Sequence, residues 1–558
     1  MQLPMTRTVL RILGVLALYA LLTAVLTWPL VRRLGHMEPG DSAYFAWVMA
    51  WEIHSLKTDP LGLPHGNIFH PARYTLGMDE PVLGTMLLVL PVSLFTDDAV
   101  LLFNLARLLT FLLSAFTAYL LARELGCGQP PALLAGALFA FSPIRTDRIA
   151  HLSVLGTQWL PLVLLFLVRF SRSGRARHAS LAGGFFALSA YACGYLGLIG
   201  LLVLPAAAIP LLWGRWRRLW TAVPALALAA LALLPLRALH RAAFETEGFS
   251  RSYEETVFYT ASLEGFLATS SSNRLYGEVT ASFRTAGGNN LFPGLVIPSL
   301  ALAGALGLVR RRRAPSREAL ALGLLALAAA LVALGPEVRL AGRTLFPGPV
   351  SWIREAIPMF QGVRVMGRGG MYLALALTSL AGLGLESLRP RRALLGCITA
   401  AALLETLIVP IPEWVRVIDS SRPPPAVYSW LASQPGDFAI VELPLLPADG
   451  RFMRPAFEET VYMVRSTLHW KRLVNGDAGM EPACHRRATE ACDRFPSAEC
   501  VALLRELGVR YAILHSGGYG PNKRARLERE LPAFASSLRP VQDLDGVVVL
   551  EFVGSHAR

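Results

Sequence analysis

The sequence predicts an α-helical polytopic membrane protein of about eleven transmembrane helices, followed by a C-terminal α/β domain outside the cytoplasm. Three observations carry this. Of the 558 residues, 54% are hydrophobic and only 16% charged, where a soluble domain carries about 25% charged residues. Apolar runs of spanning length recur along the first 411 residues. The last 147 residues lack such runs and alternate short apolar segments with polar ones. This composition excludes a disordered chain, a collagen and an ordinary soluble enzyme.

The apolar runs fall at about 9–31, 99–122, 131–144, 153–170, 180–197, 196–214, 219–236, 292–309, 318–335, 371–388 and 393–411. The run at 131–144 is short, and the boundary between the fifth and sixth is indistinct. The apolar stretch 82–95, with Pro81 just before it and Pro91 inside it, reads as a re-entrant or interfacial segment. Arg7 and Arg11 precede the first run and no small-residue cleavage site follows it, so it reads as a retained span.

Formal net charge is +14, but placement matters more than the sum, and nucleic acid is not an expected partner. With the N-terminus in the cytoplasm, the cytoplasmic loops hold Arg123, then Arg169, Arg172, Arg175 and Arg177, then Arg215, Arg217 and Arg218, then Arg310 to Arg313 with Arg317, then Arg389, Arg391 and Arg392. Acids there are few: Glu124, Glu318 and Glu386. Arg32 and Arg33 run against the rule. Only three basic residues are lysines, Lys57, Lys471 and Lys523. This topology places every long polar segment on the other face: loops 32–98, 237–291 and 336–370, and the tail 412–558. The expected organisation is therefore a transmembrane domain over 1–411 and an outer α/β domain over 412–558. In that tail, Phe438–Leu443, Tyr511–His515 and Val547–Phe552 read as strands. Residues 498–507 read as a helix stopped by Gly508, and Pro423, Pro424 and Pro425 mark the linker.

A transporter gathers polar groups near the bilayer midplane. Here they gather at one surface, which points to chemistry or binding at the outer leaflet. Asp41 follows the first span directly. A carboxylate at the lipid–water boundary can serve as a general base, or simply start the helix that follows as an N-cap. Asp79 and Glu80 are a second acidic site. With Asp41 they could hold a divalent cation, Mg2+ or Mn2+, through oxygen ligands, or cap the segment after Pro81. The loop histidines His54, His65 and His70 lack metal-ligand spacing. The link 145–152 and its continuation carry Arg145, His151 and the deeper Gln158, either as ligand-binding groups or as side chains reaching the headgroups. Glu254 and Glu255 follow in the loop 237–291. Arg364 and Arg368 lie four apart and would share a helix face, suited to a lipid phosphate or to anionic headgroups generally. Of six cysteines, Cys484, Cys492 and Cys500 lie in the outer tail, where two of the three could pair.

Several segments together carry a family likeness: Gly40-Asp-Ser-Ala-Tyr-Phe-Ala-Trp47, Asn67-Ile-Phe-His-Pro71, Phe139-Ala-Phe-Ser-Pro-Ile-Arg145, His151 through Gln158, Leu291-Phe-Pro-Gly294, Arg364-Val-Met-Gly-Arg368, Ser466 through Gly476 and Gly508-Val-Arg-Tyr511. With these, the chain resembles the GT-C superfamily of polytopic membrane glycosyltransferases, in a bacterial subgroup. The resemblance implies a GT-C-like fold in the bacterial inner membrane with a periplasmic C-terminal domain. It implies a sugar donor carried on polyprenyl phosphate, membrane lipid as surroundings, and a glycan, lipid or protein acceptor. It also implies an acidic base or metal ligand in the first outer loop, a role that Asp41 fits. Asp79 and Glu80 match a second acid only loosely, and the loop has no DxD. On this reading Arg145, His151, Gln158, Glu254, Glu255, Arg364 and Arg368 would bind substrate or its phosphate. The competing expectations are a transporter or flippase of lipid-linked saccharide, and a non-catalytic scaffold.

Overall fold

The computed structural model describes residues 3–285, 287, 289–310, 316–410, 417–446 and 457–554. The expected loop residues Arg311, Arg312 and Arg313 and the expected domain start at 412 lie outside them. The fold is mostly helical, with a five-stranded sheet near the C-terminus and two two-stranded pairs, His36–Met37 with Ile418–Asp419 and Glu337–Leu340 with Arg343–Pro347. Helices stand on all eleven apolar runs, beginning with Leu3–Leu26 and ending with Arg392–Glu405. Among the described residues, six segments are long and apolar enough to cross a membrane by themselves: Thr8–Leu26, Ala99–Glu124, Leu152–Ser173, Gly194–Leu212, Arg217–Glu247 and Met366–Leu388. The short run forms the 13-residue helix Gln129–Phe141, buried from Ala132 to Phe141 except at Leu133. The indistinct boundary resolves at Cys193, which is extended (φ −157°) between the helices Ala176–Ala192 and Gly194–Leu212.

Two helices touch through glycine. A Cβ on Gly304 would lie 2.6 Å from Gly384 Cα, and one on Gly384 would lie 2.1 Å from Leu300 O. The helices Val296–Arg310 and Gly370–Leu388 thus approach backbone to backbone, as small residues permit within a bilayer.

The arginine-rich loops gather at one end of the bundle. Arg169 and Arg172 pair with Glu124 at 2.8 and 3.0 Å, Arg172 reaches Glu318 at 3.0 Å, and Arg317 donates to Trp213 O. The three acids of those loops therefore serve as local partners: Glu386 accepts from Gly128 N–H at 2.6 Å.

At the opposite end, five strands form a mixed sheet in the order Arg472–Leu473, Ala439–Leu443, Val509–His515, Val547–Phe552, Leu538–Leu544. The first three are parallel and the last two antiparallel. The three expected strands are present. The strand Leu538–Leu544 was hidden by Pro540 and by its polar sequence. It is an edge strand with an irregular register at Pro540, where proline is tolerated. The turn that joins it to Val547–Phe552 was legible: Asp545 and Gly546 both have positive φ (55° and 80°), the geometry Asp-Gly gives a two-residue hairpin. The expected helix forms over Ala498–Glu506, and Gly508 follows at φ 69°. Cys492 and Cys500 pair, leaving Cys484 free.

The sheet uses both faces. Val441, Ala512 and Leu514 pack against the helices of residues 483–506, while Ile440, Tyr511 and Ile513 join Trp47, Phe69 and Met78 from the first loop. That loop also hydrogen-bonds to the sheet edge: Leu473 N–H donates to Asn67 O, His70 N–H to Leu473 O and Phe69 N–H to Asn475 O. Asn67 ties the corner, accepting from Trp47 Nε1 (3.0 Å) and donating to Ser466 Oγ (3.1 Å).

Gly384→Leu should separate the two glycine-joined helices. It is expected to destabilise the protein by about 1–3 kcal/mol or more, read as a lower unfolding midpoint in detergent, whereas a Leu at Gly184, which has nothing within 4 Å, should not.

Candidate functional site

Gly40 begins the site. Its φ of 88° is a conformation only glycine adopts freely. Its N–H donates to Thr460 Oγ1 of the tail at 2.9 Å. Gly40, not Asp41, is the N-cap of the helix Asp41–Thr58, and Asp41 is the first helical residue. The Asp41 side chain is therefore not consumed in a cap; it stands at the positive end of the helix dipole and is 56% exposed.

Two residues that sequence reasoning passed over hold that helix start in place. Glu38 accepts from Ser42 Oγ (2.5 Å) and from Arg107 Nη2 (3.0 Å), and Arg107 also donates to Ser42 (2.6 Å) with its guanidinium over the Phe103 ring. Burial pushes the Glu38 carboxyl up, but Arg107 and Ser42 outweigh it and hold it below the usual range. A charged residue inside an apolar span was the signal that marked Arg107.

The His151 imidazole, on the link before Leu152, sits with Nε2 3.3 Å from Asp41 Oδ2. Burial pushes its pKa down. Asp41 and Asp79 favour the charged form, Arg368 and Arg148 oppose it, and the result lies below the ordinary value. Neutral imidazole is thus the resting form near neutral pH. Arg148 lies beside it, 3.6 Å from Asp147 and 3.5 Å from Asn289 Oδ1.

Beyond His151 lies a field of paired charge. Glu80 is buried. Its Oε2 accepts from Arg368 Nη1 (2.8 Å) and Cys193 Sγ (3.0 Å), and its Oε1 from Tyr195 N–H (2.8 Å) at the start of the helix Gly194–Leu212. Asp79 is half-buried. Burial would raise its pKa, but Arg364, Arg251 and Arg368 together hold it below the usual range. Glu255 accepts from Arg251 (3.1 Å) and Arg364 (3.3 Å), and Arg251 also reaches Gly479 O of the tail (2.8 Å). The i,i+4 spacing of Arg251 and Glu255 was the available sign of that pair.

The expected helix face of Arg364 and Arg368 does not form. Val363–Val365 is not helical and Met366–Gly369 is a 3-10 turn. The two arginines meet instead through the acidic pair, Arg368 on Glu80 and Arg364 beside Asp79. Asp79 and Glu80 do not fit a divalent cation. Both Glu80 oxygens already accept N–H or S–H donors, and Asp79 faces three guanidinium groups, surroundings that suit an anion. Among the described residues, no three His, Cys, Asp or Glu side chains converge as a metal set.

Three further expectations do not join the site. Arg145 is fully buried and spends its donors on Thr157 Oγ1 (2.8 Å), Leu155 O (2.8 Å), Ser114 Oγ (3.2 Å) and Ala140 O, between the rings of Phe111 and Phe139. It knots the link to the bundle and reaches no surface. Gln158 is buried with neither amide atom hydrogen-bonded. Glu254 is exposed in the first turn of Tyr253–Phe258. Asp41, His151, Asp79, Glu80, Glu255, Arg364 and Arg368 are the expected residues that gather around one region.

Glu80→Ala would leave Arg368 buried without its ion-pair partner. It is expected to cost about 3–5 kcal/mol of stability in detergent unfolding, and Glu80→Gln, which keeps an acceptor oxygen, less. An equal, small effect of both would show the pair to be dispensable.

Comparison with known proteins follows the same geometry. The fold is that of the archaeal oligosaccharyltransferase AglB from Archaeoglobus fulgidus, solved with an inhibitory peptide and a dolichol-phosphate. The match has a TM-score of 0.50 at 14% identity, covering 94% of this chain and 72% of that one. ArnT from Cupriavidus metallidurans, in its apo state, aligns over 99% of both chains at 14% identity and a TM-score of 0.40. At that identity the likeness to AglB shows the fold alone, and at the level of fold the resemblance read from the sequence holds. No curated protein sequence matches the chain. One family model does, over residues 79–405, and that span runs from the Asp79–Glu80 pair to the last helix of the bundle: the chain belongs to the family described as a domain of unknown function, DUF6311.

Proposed function

We propose that this protein transfers a sugar from a polyprenyl-phosphate-linked donor to an acceptor at the outer face of the bacterial inner membrane, with Asp41 as general base. The observation that carries the reading is the Asp41 carboxylate itself. It is exposed, uncommitted to capping, fixed at a helix start by Gly40 and the Glu38–Ser42–Arg107 network, and set beside neutral His151. The GT-C fold supports lipid-linked glycosyl transfer in general. In the proposed topology the eleven helices all span, the N-terminus and arginine-rich loops are cytoplasmic, and residues 412–558 form a periplasmic domain that walls the site through Thr460 and Gly479.

The proposed reaction is a single inverting displacement. The acceptor hydroxyl gives its proton to Asp41, its oxygen forms a bond to the anomeric carbon, and the bond to polyprenyl phosphate breaks with the electron pair leaving on the phosphate. Arg364 is the cation best placed for that phosphate. It is 18% exposed, its Nε is buried without a partner, and Arg368 beside it is committed to Glu80. His151 positions Asp41. Nothing in this scheme needs a cation at Asp79 and Glu80.

Asp41→Asn keeps the helix start and removes the base. Protein reconstituted in lipid and given a panel of polyprenyl-phosphate sugars should release polyprenyl phosphate, and the variant should do so about 10²–10⁴-fold more slowly. Equal rates would assign the base elsewhere. If neither protein turns over any donor though both are folded, the transporter and scaffold readings gain.

The pH profile tests His151. Because its pKa is depressed, it stays neutral down through about pH 6.5 and charges only below its ordinary range. Once charged it pairs with Asp41 and makes that carboxylate a weaker base. Activity should therefore fall on the acid side, and His151→Gln should move that limb; a limb that stays put removes His151 from the role.

A further inference from the structure

About 20 Å along the helix Asp41–Thr58 from Asp41, given its 1.5 Å rise per residue, the chain forms a separate groove of about 610 Å³. Its floor is the start of the helix Ala99–Glu124, at Ala99 and Val100. One wall is Ile53, His54 and Lys57; the other is the tail, at Arg465 and Trp470. Trp470 is held at a φ of 54°, unusual for a bulky residue, and its ring stacks on His54 with centroids 4.1 Å apart.

The charged groups of the groove are not all paired. Lys57 pairs with Asp97 at 2.8 Å. Asp98 caps the Ala99 helix and accepts from Ser420 Oγ at 2.7 Å. Arg422 pairs with Asp419 at 3.1 Å. Arg465 lines the same groove half-buried, and its guanidinium has no hydrogen bond or ion pair among the described residues. A partly desolvated guanidinium that makes no ion pair is a site for an anion.

The rim says where the anion comes from. The two chain segments that frame the groove each carry almost bare apolar side chains within four residues of its lining. Leu61 is 90% exposed, Leu94 74% and Phe95 89%. Such side chains at the end of a membrane span enter the boundary between headgroups and acyl chains. The groove floor is itself the end of a span, so its mouth opens at headgroup depth.

We propose that this groove holds the phosphate headgroup of an anionic membrane lipid, with Arg465 as its principal contact and Lys57 at its edge. The occupant is a lipid of the surrounding leaflet, and the proposal stands whether or not the chain is a transferase.

The full-length protein in mild non-ionic detergent, mixed with equal amounts of palmitoyl-oleoyl phosphatidylglycerol and phosphatidylcholine, tests this by native mass spectrometry. Wild type is expected to retain one phosphatidylglycerol in preference to phosphatidylcholine. Arg465→Gln should retain it about five- to tenfold less well, Arg465→Lys should recover part of that loss, and Asp41→Asn should leave it unchanged. Arg465 makes no hydrogen bond or ion pair among the described residues, so its variants should fold, as an unchanged unfolding midpoint would verify. Equal retention of the two lipids, or an Arg465→Gln variant indistinguishable from wild type, overturns the proposal. Displacement of phosphatidylglycerol by glycerol 3-phosphate at matched concentration would make the occupant a water-soluble phosphate and overturn the lipid assignment.

Discussion

Much of this fold hangs on one carboxylate. Glu80 draws donors from two parts of the chain that are far apart in sequence: Arg368 before one helix, and Cys193 with the backbone of Tyr195 at a break between two others. Without that acceptor, the extended residue at Cys193 would leave the N–H groups at the start of the helix Gly194–Leu212 facing a buried space, and Arg368 would lose its counter-ion. The cost of a buried ion pair is met only when every remaining donor and acceptor is engaged. Here the first loop supplies the acid, so the bundle and the loop must be assembled together.

That constraint explains why the acidic pair Asp79–Glu80 misleads when read as a string of letters. Two adjacent acids in a loop suggest a cation site, yet one is buried in a cage of donors and the other is ringed by arginines drawn from residues 251–368. Composition along the chain cannot show such convergence. The same is true of Arg364 and Arg368. Their spacing of four suits a helix, but the glycines at 362, 367, 369 and 370 favour turns, and the arginines meet through their acidic partners instead.

What the sequence made legible were features with local causes. Each of the eleven apolar runs located a helix, because a long apolar segment must satisfy its own backbone hydrogen bonds, though six described segments are long and apolar enough to cross a membrane by themselves. Short apolar runs located the three central strands. Asp41 was legible from its place after a span and before a buried helix. What stayed hidden depended on contacts between distant segments: the Glu38–Ser42–Arg107 brace, the burial of Arg145 among neutral oxygens rather than at a surface, and the edge strand Leu538–Leu544. The expected boundary near residue 412 is a related case. A break in hydropathy falls there, but the packing does not respect it, because one face of the tail sheet shares a core with Trp47, Phe69 and Met78.

This shared core has a consequence for biogenesis. Asn67 and its partner Lys471 are 404 residues apart. At a synthesis rate of about 5–20 residues per second, the first loop would emerge roughly 20–80 s before the strand that completes it. During that interval the apolar side chains of residues 45–78 have no sheet to cover them, and the backbone of Asn67–His70 has no edge to bond. Membrane insertion can proceed helix by helix, but closure of the face around Asp41 must wait for the end of translation. The nascent first loop is thus the segment of this protein most in need of a chaperone, and a truncation in the tail would leave a fully inserted bundle with its working surface open.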